Sequence, residues 1–432
     1  MIDVDALCVG MFVHLDLGWM SHPFPLGNFK IADAAQIATI RSLGLKQLRW
    51  SPAQSDVLEP SEAAAPAAEA APSLTPPTAF AESADALARR QHRQQLKREA
   101  ESLALCERQF AEAAHACRLL TERVPQQPQA ARAQAEALAR ALVDKMLVAG
   151  DLCIRLLSDA AGDKASVHAL NVTVIALLMG RSFGLTESDM LDLGVGAMLH
   201  DIGKLELPDR VRHREEDLSS AELRFYEEHV ARGVVLARKM GLSSGATLVL
   251  AQHHEHADGS GFPLRLNTDR MSVAARIVAL VNRYDNLCNP NLPSHALTPH
   301  EALARLFAHG KTRFDTAILG AFIKMMGVYP AGSTVQLTDD RYAMVVGVNS
   351  SRPLRPRVLV HEARVPRDEA LIVDLESQQG LGIRRSIKPQ QLPLASLEYL
   401  APRSRVSYFF EPMERIEPVE SGDAVREADA AH

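Results

Sequence analysis

An adjacent histidine and aspartate at the end of an apolar helix constrain the fold of this chain more than any other feature. The helix is predicted to begin near Thr186, in a segment similar to a capping box, and its apolar residues lead directly to His200 and Asp201. Burying an imidazole and a carboxylate together is costly unless each group finds a partner. A divalent metal ion satisfies both, because each group offers a lone pair. The pair therefore predicts a helical domain with a metal site at its centre.

Other histidines and aspartates fall at comparable places on predicted helices. His168 lies on an apolar face, where a single histidine is more often an ordinary core residue, and His229 by itself is typical of a surface helix. Two consecutive histidines end a further apolar helix and point about 100° apart, so we expect them to reach neighbouring metal ions rather than the same one. Asn282 and Asp285 lie one turn apart on a shared face. The candidate ligands are His168, His200, Asp201, His229, His253, His254 and Asp285.

This candidate set contains imidazoles and carboxylates but no thiolate. Such donors suit two adjacent iron, manganese, zinc or nickel ions better than a structural zinc site, in which cysteine is usual. A pair of metal ions activates water at neutral pH and neutralises phosphate charge, so it indicates hydrolysis of a phosphoester. Lys204 adds a cation beside the predicted site. The loop with Gly259, Gly261 and Pro263 is rigid, and its backbone can approach a ligand closely.

Two of these segments resemble the signatures of the HD-GYP family of bacterial cyclic di-GMP phosphodiesterases. Residues 200–204 are similar to the first signature and residues 253–263 to the second. Two downstream segments, residues 276–279 and 314–315, also match that family. The resemblance covers about residues 164–328.

The resemblance implies two divalent metal ions, with iron or manganese preferred to zinc or nickel. The expected ligands of the first ion are His168, His200 and Asp201, and those of the second are Asp201 as a bridge, His229, His253 and His254. Asp201 and Lys204 are the expected catalytic residues, with Lys204 contacting the scissile phosphate and stabilising the charge that develops on it. Four loop residues are expected to lie against the dinucleotide, with an aromatic face offered to guanine: Gly261, Phe262, Pro263 and Arg265.

Four positions depart from the family pattern. Phe262 replaces the usual tyrosine, which keeps a stacking face but removes a hydroxyl. Asn282 stands where the family has a metal-binding aspartate, so we expect Asp285 to supply that ligand, with Asn282 outside direct coordination. Lys164 stands where relatives with a third metal carry glutamate, which favours two ions. Residues 286–293 contain no lysine or arginine, although relatives often hold the ligand phosphates with basic residues there.

Three functions are consistent with this pattern. The first is hydrolysis of cyclic di-GMP to pGpG, and onward to GMP, in bacterial second-messenger signalling. The second is a catalytically weak sensor that binds cyclic di-GMP and signals by conformational change, which Asn282 and the missing basic residues favour. The third is a phosphohydrolase that acts on other nucleotides or on linear dinucleotides.

The predicted fold is mainly α-helical, with an HD-type helical metal-binding domain between two small β-rich domains. An alanine- and proline-rich stretch indicates a linker. Two long helices with a break near Pro125 and Pro128 are predicted to form a spacer or a dimerisation arm. The predicted boundaries are 1–58 for the N-terminal β-rich domain, 59–83 for the linker, 84–160 for the helical spacer, 161–330 for the HD-GYP domain, 331–415 for the C-terminal β-rich domain and 416–432 for a disordered tail.

The N-terminal residues 9–13 and 26–29 resemble a domain of unknown function that precedes HD-GYP domains. We expect it to be regulatory or to bind a protein partner, including GGDEF proteins, and a homodimer is a further expectation. The formal charge of −6 argues against a nucleic-acid polymer as partner, and no uninterrupted apolar run is long enough for membrane insertion. Five cysteines without a CxxC pair and an acidic N-terminus favour a cytoplasmic protein.

Overall fold

The computed structural model describes residues 1–18, 21–24, 27–56, 84–148, 150–158, 162–212, 218–349 and 352–412. The predicted linker and the predicted C-terminal tail both lie outside these residues.

A small antiparallel sheet with one helix forms the N-terminal part of the protein. Its elements are β1 (Ile2–Asp3), β2 (Phe12–His14), β3 (Asn28–Lys30), α1 (Ala34–Ser42) and β4 (Gln47–Trp50). The strands lie in the order β1, β4, β2, β3. Asp33 begins α1, because its side chain accepts a hydrogen bond from the backbone N–H of Gln36. The sheet and helix enclose a core of their own around Val13 and Ile40, which confirms the predicted β-rich domain.

Two helices follow, α2 (Ala84–Arg123) and α3 (Pro128–Val148), and the break between them falls at the predicted prolines. They are not a free spacer, because Phe110 and Leu142 are fully buried in the same core as the later helices. The prediction of helix up to residue 160 is also wrong at its end. Leu152–Leu156 form strand β5, whose five residues are all buried.

A buried lysine joins the N-terminal domain to α3. The ammonium nitrogen of Lys145 donates hydrogen bonds to the backbone carbonyls of His22, at 2.6 Å, and Phe24, at 3.1 Å. Burial lowers the pKa of Lys145 to about 8. Because α3 packs against the later helices, this contact ties the small domain to the helical core.

In the described residues of the central part of the chain there are eight α-helices. They are α4 (Lys164–Ser182), α5 (Glu187–Leu199), α6 (Asp209–Arg212), α7 (Ser220–Met240), α8 (Ser244–Gln252), α9 (Val273–Cys288), α10 (Pro299–His309) and α11 (Thr316–Met326). Their starts follow the local sequence, since Thr186, Ser243 and Ser272 each accept a hydrogen bond from the backbone three residues later. Helices α4, α5, α8 and α9 pack on one another, so their ends and inner faces converge.

Helix α4 is the one described helix that is long and apolar enough to cross a membrane. In this fold 67% of its apolar window is buried inside the protein, which is typical of a core helix.

The C-terminal part is a seven-stranded antiparallel sheet that includes β5. The other elements are β6 (Thr334–Leu337), β7 (Tyr342–Asn349), β8 (Arg357–Val360), β9 (Ile372–Asp374), β10 (Ile383–Ser386), α12 (Leu394–Leu400) and β11 (Tyr408–Pro412). The strand order is β10, β6, β7, β5, β11, with β8 also paired to β7 and β9 to β8. Ile154 of β5 lies opposite Val348 on one side and Phe410 on the other. The prediction of a separate C-terminal domain is therefore corrected: the sheet takes in a strand from before α4 and shares one continuous core with the helices.

Buried charges fasten α2 to this sheet. Arg155 lies 3.3 Å from both Glu99 of α2 and Glu411 of β11, and Arg357 pairs with the same two carboxylates. Two arginines and two glutamates neutralise one another in this cluster, which is the condition for burying charge at tolerable cost.

Candidate metal centre

Five structural elements bring six of the predicted ligands together. His168 projects from α4, His200 caps the end of α5, and Asp201 follows it. His229 lies in the middle of α7, and the paired histidines 253 and 254 follow α8. The side chains of His200, His229 and His253 are completely shielded from solvent, whereas that of His168 is 17% exposed. Residues far apart in the sequence thus meet in one buried pocket.

These six side chains form two sets that share one aspartate. The first donor group is His168, His200 and Asp201, and the second donor group is Asp201, His229, His253 and His254. Within each group the ligand atoms all lie within 4.8 Å of one another. The arrangement is therefore compatible with divalent metal binding.

The two carboxylate oxygens of Asp201 face different groups. Oδ2 lies 3.4 Å from His200 Nε2 and 3.8 Å from His168 Nε2. Oδ1 lies 3.5 Å from His229 Nε2 and 3.7 Å from His253 Nε2. Each oxygen of the Asp201 carboxylate therefore faces a different donor group.

The outer nitrogens of four of the histidines are held by acceptors. His200, His229 and His253 direct Nδ1 to the carbonyl oxygens three residues earlier, at 2.7, 2.6 and 2.8 Å. A carbonyl only accepts, so each Nδ1 carries the proton and each Nε2 presents a lone pair to the centre. His168 differs, because its Nδ1 lies 2.6 Å from a carboxylate oxygen of Asp285.

Burial keeps three of the imidazoles neutral. It lowers the pKa of His200 and His254 and lowers that of His229 to about 3. For Asp201, burial favours the protonated acid, but Lys204 and His200 outweigh it and hold the pKa of the carboxyl well below its usual range. The centre therefore presents neutral nitrogen donors around an ionised carboxylate, which are the protonation states that a metal ion requires.

The polar atoms of the centre fit a divalent cation better than they fit one another. Nε2 of His168 lies 3.3 Å from Nε2 of His200, and the same distance separates His229 from His253. With both protons on Nδ1, each of these pairs brings two lone pairs face to face. Asp201 Oδ1 and His254 Nε2 are also buried without a hydrogen-bond partner. Atoms left in this state are expected where a bound ion completes the site.

The prediction that His253 and His254 serve different ions is wrong. Both belong to the second donor group. The spacing of about 100° applies only inside a helix. Helix α8 ends at Gln252, so His253 is the capping residue and His254 already lies in the following turn.

Asp285 is not a member of either donor group, and its assignment as a ligand is revised. One of its oxygens faces His168 Nδ1, while the other accepts hydrogen bonds from Asn171 and Asn289, each at 2.9 Å. Both oxygens are therefore committed to neighbours behind the ligand. Asn282 is buried on the same helix, and its amide oxygen accepts from Asn286 at 2.6 Å.

Lys204 lies at the open side of the bridging aspartate. Its ammonium nitrogen is 2.5 Å from Asp201 Oδ2 and 5.3 Å from the centre of the Tyr226 ring. Burial alone would lower the pKa of Lys204, but Asp201 and Tyr226 raise it above its ordinary value. The residue is therefore a fixed cation at the edge of the centre.

Close backbone contact places Lys204 and Asp201 against α7. A Cβ atom at Gly203 would collide with the carbonyl oxygen of His229 and with the backbone nitrogen of Gly233. Only glycine permits this approach. Gly203 thereby allows the segment that carries Asp201 and Lys204 to pack directly on the backbone of α7.

The glycine-rich loop lies beside the second donor group. Phe262 stacks on His254 with ring centroids 4.5 Å apart and an interplanar angle of 21°. A Cβ atom at Gly261 would collide with the backbone of residues 254–256, and the bond between Phe262 and Pro263 is cis. Arg265 has a left-handed backbone with φ of 54°, and its side chain is exposed beyond the loop.

Sequence reasoning missed the role of Glu255. Its side chain is completely buried, and its two oxygens accept hydrogen bonds from the backbone N–H groups of Leu264, at 2.6 Å, and Leu266, at 2.8 Å. The carboxylate thereby fixes the far end of the loop that starts beside His254. A glutamate directly after two buried histidines was the available signal.

Comparison with known proteins matches two families to successive parts of the chain. A family described as HD domain matches residues 151–318, which include β5 and both donor groups, and a domain of unknown function (DUF3391) matches residues 1–135. A cyclic di-GMP phosphodiesterase of Pseudomonas aeruginosa is 28% identical over 381 residues, 87% of this chain and 88% of that protein. The cyclic di-GMP phosphodiesterase PdeB of Borreliella burgdorferi is 22% identical over 54% of this chain and 62% of that protein. Among solved structures, an HDG"Y"P protein of Bdellovibrio bacteriovorus covers 49% of this chain at 17% identity and a TM-score of 0.37.

Proposed function

We propose that this chain is an HD-domain protein of the HD-GYP type and a metal-dependent phosphodiesterase that hydrolyses cyclic di-GMP to pGpG and onward to GMP. The observation that carries the proposal is the pair of donor groups that share Asp201. Relatives that align with most or part of this chain are named cyclic di-GMP phosphodiesterases, which supports the choice of substrate.

The proposed cofactor is a pair of divalent metal ions, iron or manganese in preference to zinc or nickel. His168, His200 and Asp201 would hold one, and Asp201, His229, His253 and His254 the other. When bound, such a pair supplies an activated water and neutralises phosphate charge. The ligand set supports this proposal, because imidazole and carboxylate without thiolate suit these ions.

The protein side chains orient the scissile phosphate. Lys204 is fixed beside Asp201 and remains charged, so its ammonium group can donate to a phosphate oxygen as negative charge increases there. The apolar cores of α4, α5 and α8 surround the donors and limit the access of bulk water, which strengthens each of these interactions.

The loop supplies a surface for the base. Because His254 covers one face of Phe262, only the opposite face is available to stack on guanine. We expect Phe262→Ala to raise the KM for cyclic di-GMP by about 10-fold, since one base–aromatic stack contributes about 1–3 kcal/mol. Phe262→Tyr is the matched control and should keep KM within about twofold of the original protein. Steady-state kinetics with equal metal content will show the effect, and an unchanged KM in Phe262→Ala would remove this residue from the substrate site.

Glu255 is expected to act on substrate binding through the same loop. In Glu255→Gln the side-chain NH2 group takes the place of one carboxylate oxygen, so the backbone N–H of either Leu264 or Leu266 loses its acceptor. Loss of a hydrogen bond to a charged group costs about 1.5–3 kcal/mol. We expect KM to rise by about 10-fold while metal content stays the same. Glu398→Gln, on exposed α12, is the control and should leave both quantities unchanged. Loss of metal from Glu255→Gln would instead place this carboxylate in support of the donors.

The decisive experiment is a turnover assay with the full chain purified without oxygen and loaded with iron or manganese. Formation of pGpG and then GMP from cyclic di-GMP supports the proposal. Tight binding of cyclic di-GMP without turnover would instead favour the sensor function, which the asparagine at position 282 suggests. Recovery of activity in Asn282→Asp would then identify this residue as the cause of the missing turnover. Hydrolysis of pGpG or other nucleotides with cyclic di-GMP left intact would favour the third function.

We also propose a regulatory role for the N-terminal domain. Lys145 connects it to α3, and α3 packs against α5, which ends at His200. A partner that binds the small domain would therefore act on a helix in contact with the metal centre.

A further inference from the structure

The C-terminal strand is hydrogen-bonded to the residues that hold His168. Two asparagines make the connection: Asn171, one turn after His168 on α4, and Asn289, directly after α9. Both contact Asp285 and both contact the backbone at the start of β11.

Three donors converge on the Asp285 carboxylate. His168 Nδ1 lies 2.6 Å from Oδ2, and the side-chain amides of Asn171 and Asn289 each donate to Oδ1 at 2.9 Å. Asp285 and Asn171 are almost wholly buried. These three contacts together hold the Asp285 carboxylate in place.

Both amides also bind the strand. Asn171 donates to the carbonyl of Val406 at 3.1 Å and accepts from the N–H of Tyr408 at 3.2 Å. Asn289 donates to the same carbonyl and accepts from the N–H of Val406, both at 2.9 Å. The segment Val406–Tyr408 therefore orients the two amides that orient Asp285.

His168 depends on this arrangement in a way that the other histidines do not. His200, His229 and His253 are each held by a carbonyl of their own helical turn. His168 is the most exposed of these four, and its Nδ1 is held by a residue 117 positions away. Among the four histidines with a described Nδ1 partner, His168 is the one held from outside its own helix.

We propose that Asn171 and Asn289 are positioning residues, oriented by the backbone groups of Val406 and Tyr408, and that they selectively support the first donor group. This inference rests on the proposed metal-binding function. The outer partners of ligating histidines typically change metal affinity by about 10- to 100-fold, so loss of these amides is expected to weaken one of the two metal sites by that factor.

The test is a cobalt(II) titration of the metal-free full chain, followed by absorbance, with metal content after dialysis measured by elemental analysis. The original protein is expected to bind two ions. Asn171→Ala and Asn289→Ala are each expected to keep one ion with unchanged affinity and to bind the other about 10- to 100-fold more weakly. The weakened site should lose the absorbance contribution that His168→Ala also removes.

Two variants in the same segment provide matched controls. Ser407→Ala removes a buried hydroxyl that has no hydrogen-bond partner, and Tyr408→Phe removes a contact of 3.1 Å with the Tyr284 hydroxyl. Tyr408→Phe is expected to lower the melting temperature without changing cobalt binding, which separates positioning from general loosening of the strand. In an Asp285→Asn background, Asn171→Ala should add little further loss of affinity, because the two act on His168 through one path.

The outcomes are separable. Equal weakening of both sites, or weakening by Tyr408→Phe to the same degree as by Asn171→Ala, overturns the positioning role. Unchanged cobalt binding in both asparagine variants overturns it as well. If the original protein binds two ions but does not hydrolyse cyclic di-GMP, the proposed activity fails while the inference about the first donor group still stands on the titration.

Discussion

Replacing Asp201 with alanine is expected to remove metal binding at both donor groups and to lower cyclic di-GMP hydrolysis by at least about 1,000-fold. Each oxygen of this carboxylate faces a different pair of histidines, so one substitution affects both groups. No other donor in the described part of the chain belongs to both groups. Elemental analysis and a turnover assay on the same preparation will measure the two effects together.

The fold should survive this substitution. The partner left behind, Lys204, keeps about a quarter of its side chain exposed and can turn its ammonium group to water. Asp189→Ala is a suitable control, because it removes an exposed carboxylate at the opposite end of the same helix. It is expected to retain metal and activity. If Asp201→Ala kept both ions, the bridging role would be refuted.

Replacing Lys204 with alanine is expected to lower kcat by about 100- to 1,000-fold while both metal ions remain bound. The ammonium group is not a ligand, and its place beside Asp201 suits it to contact a phosphate oxygen. Since that contact strengthens as charge develops in the transition state, KM should change less than kcat. Steady-state kinetics on metal-saturated protein will separate the two constants.

A control and a contrary outcome make this expectation specific. Lys239→Ala removes an exposed lysine from the last turn of α7 and should leave kcat unchanged. An unchanged kcat in Lys204→Ala would exclude the catalytic role. Loss of metal from Lys204→Ala would show that the lysine serves to hold the Asp201 carboxylate in place.

The sequence contained enough information to find the metal centre because its donors stand at helix ends and on apolar faces. One apolar helix leads directly to His200 and Asp201, and another leads to His253 and His254. Because apolar helices can be recognised from the sequence, the donors at their ends can be predicted to lie close together. The mainly helical fold and the two β-rich regions followed from such patterns, the HD domain followed from the resemblance of its two signatures, and all are confirmed.

Other features depended on contacts that periodicity does not describe. Helical spacing places Asp285 on the face of α9 that points inward, but it cannot distinguish a side chain that meets a metal ion from one that meets His168 from behind. The role of Glu255 depends on two backbone N–H groups about ten residues away. In both cases the role of the buried carboxylate depends on the group that it contacts, and tertiary packing determines that contact.

Strand β5 was missed for a different reason. Its five residues begin four positions after the end of α3, and a segment of that length carries too little alternation to be recognised. Once β5 is placed, the fully buried pattern is explained, because the strand has neighbours on both sides in the middle of the sheet. The same short segment is what makes the C-terminal strands inseparable from the helices.

The pairing of β5 with β11 also has a consequence for how the protein is made. Arg155 and Glu411 meet although they are 256 positions apart, so this end of the sheet cannot close until nearly the whole described chain has left the ribosome. A nascent polypeptide that already carries every histidine of the two donor groups still lacks the backbone that orients the amides behind His168. Copies that stop before β11 would therefore be poor at destroying the second messenger.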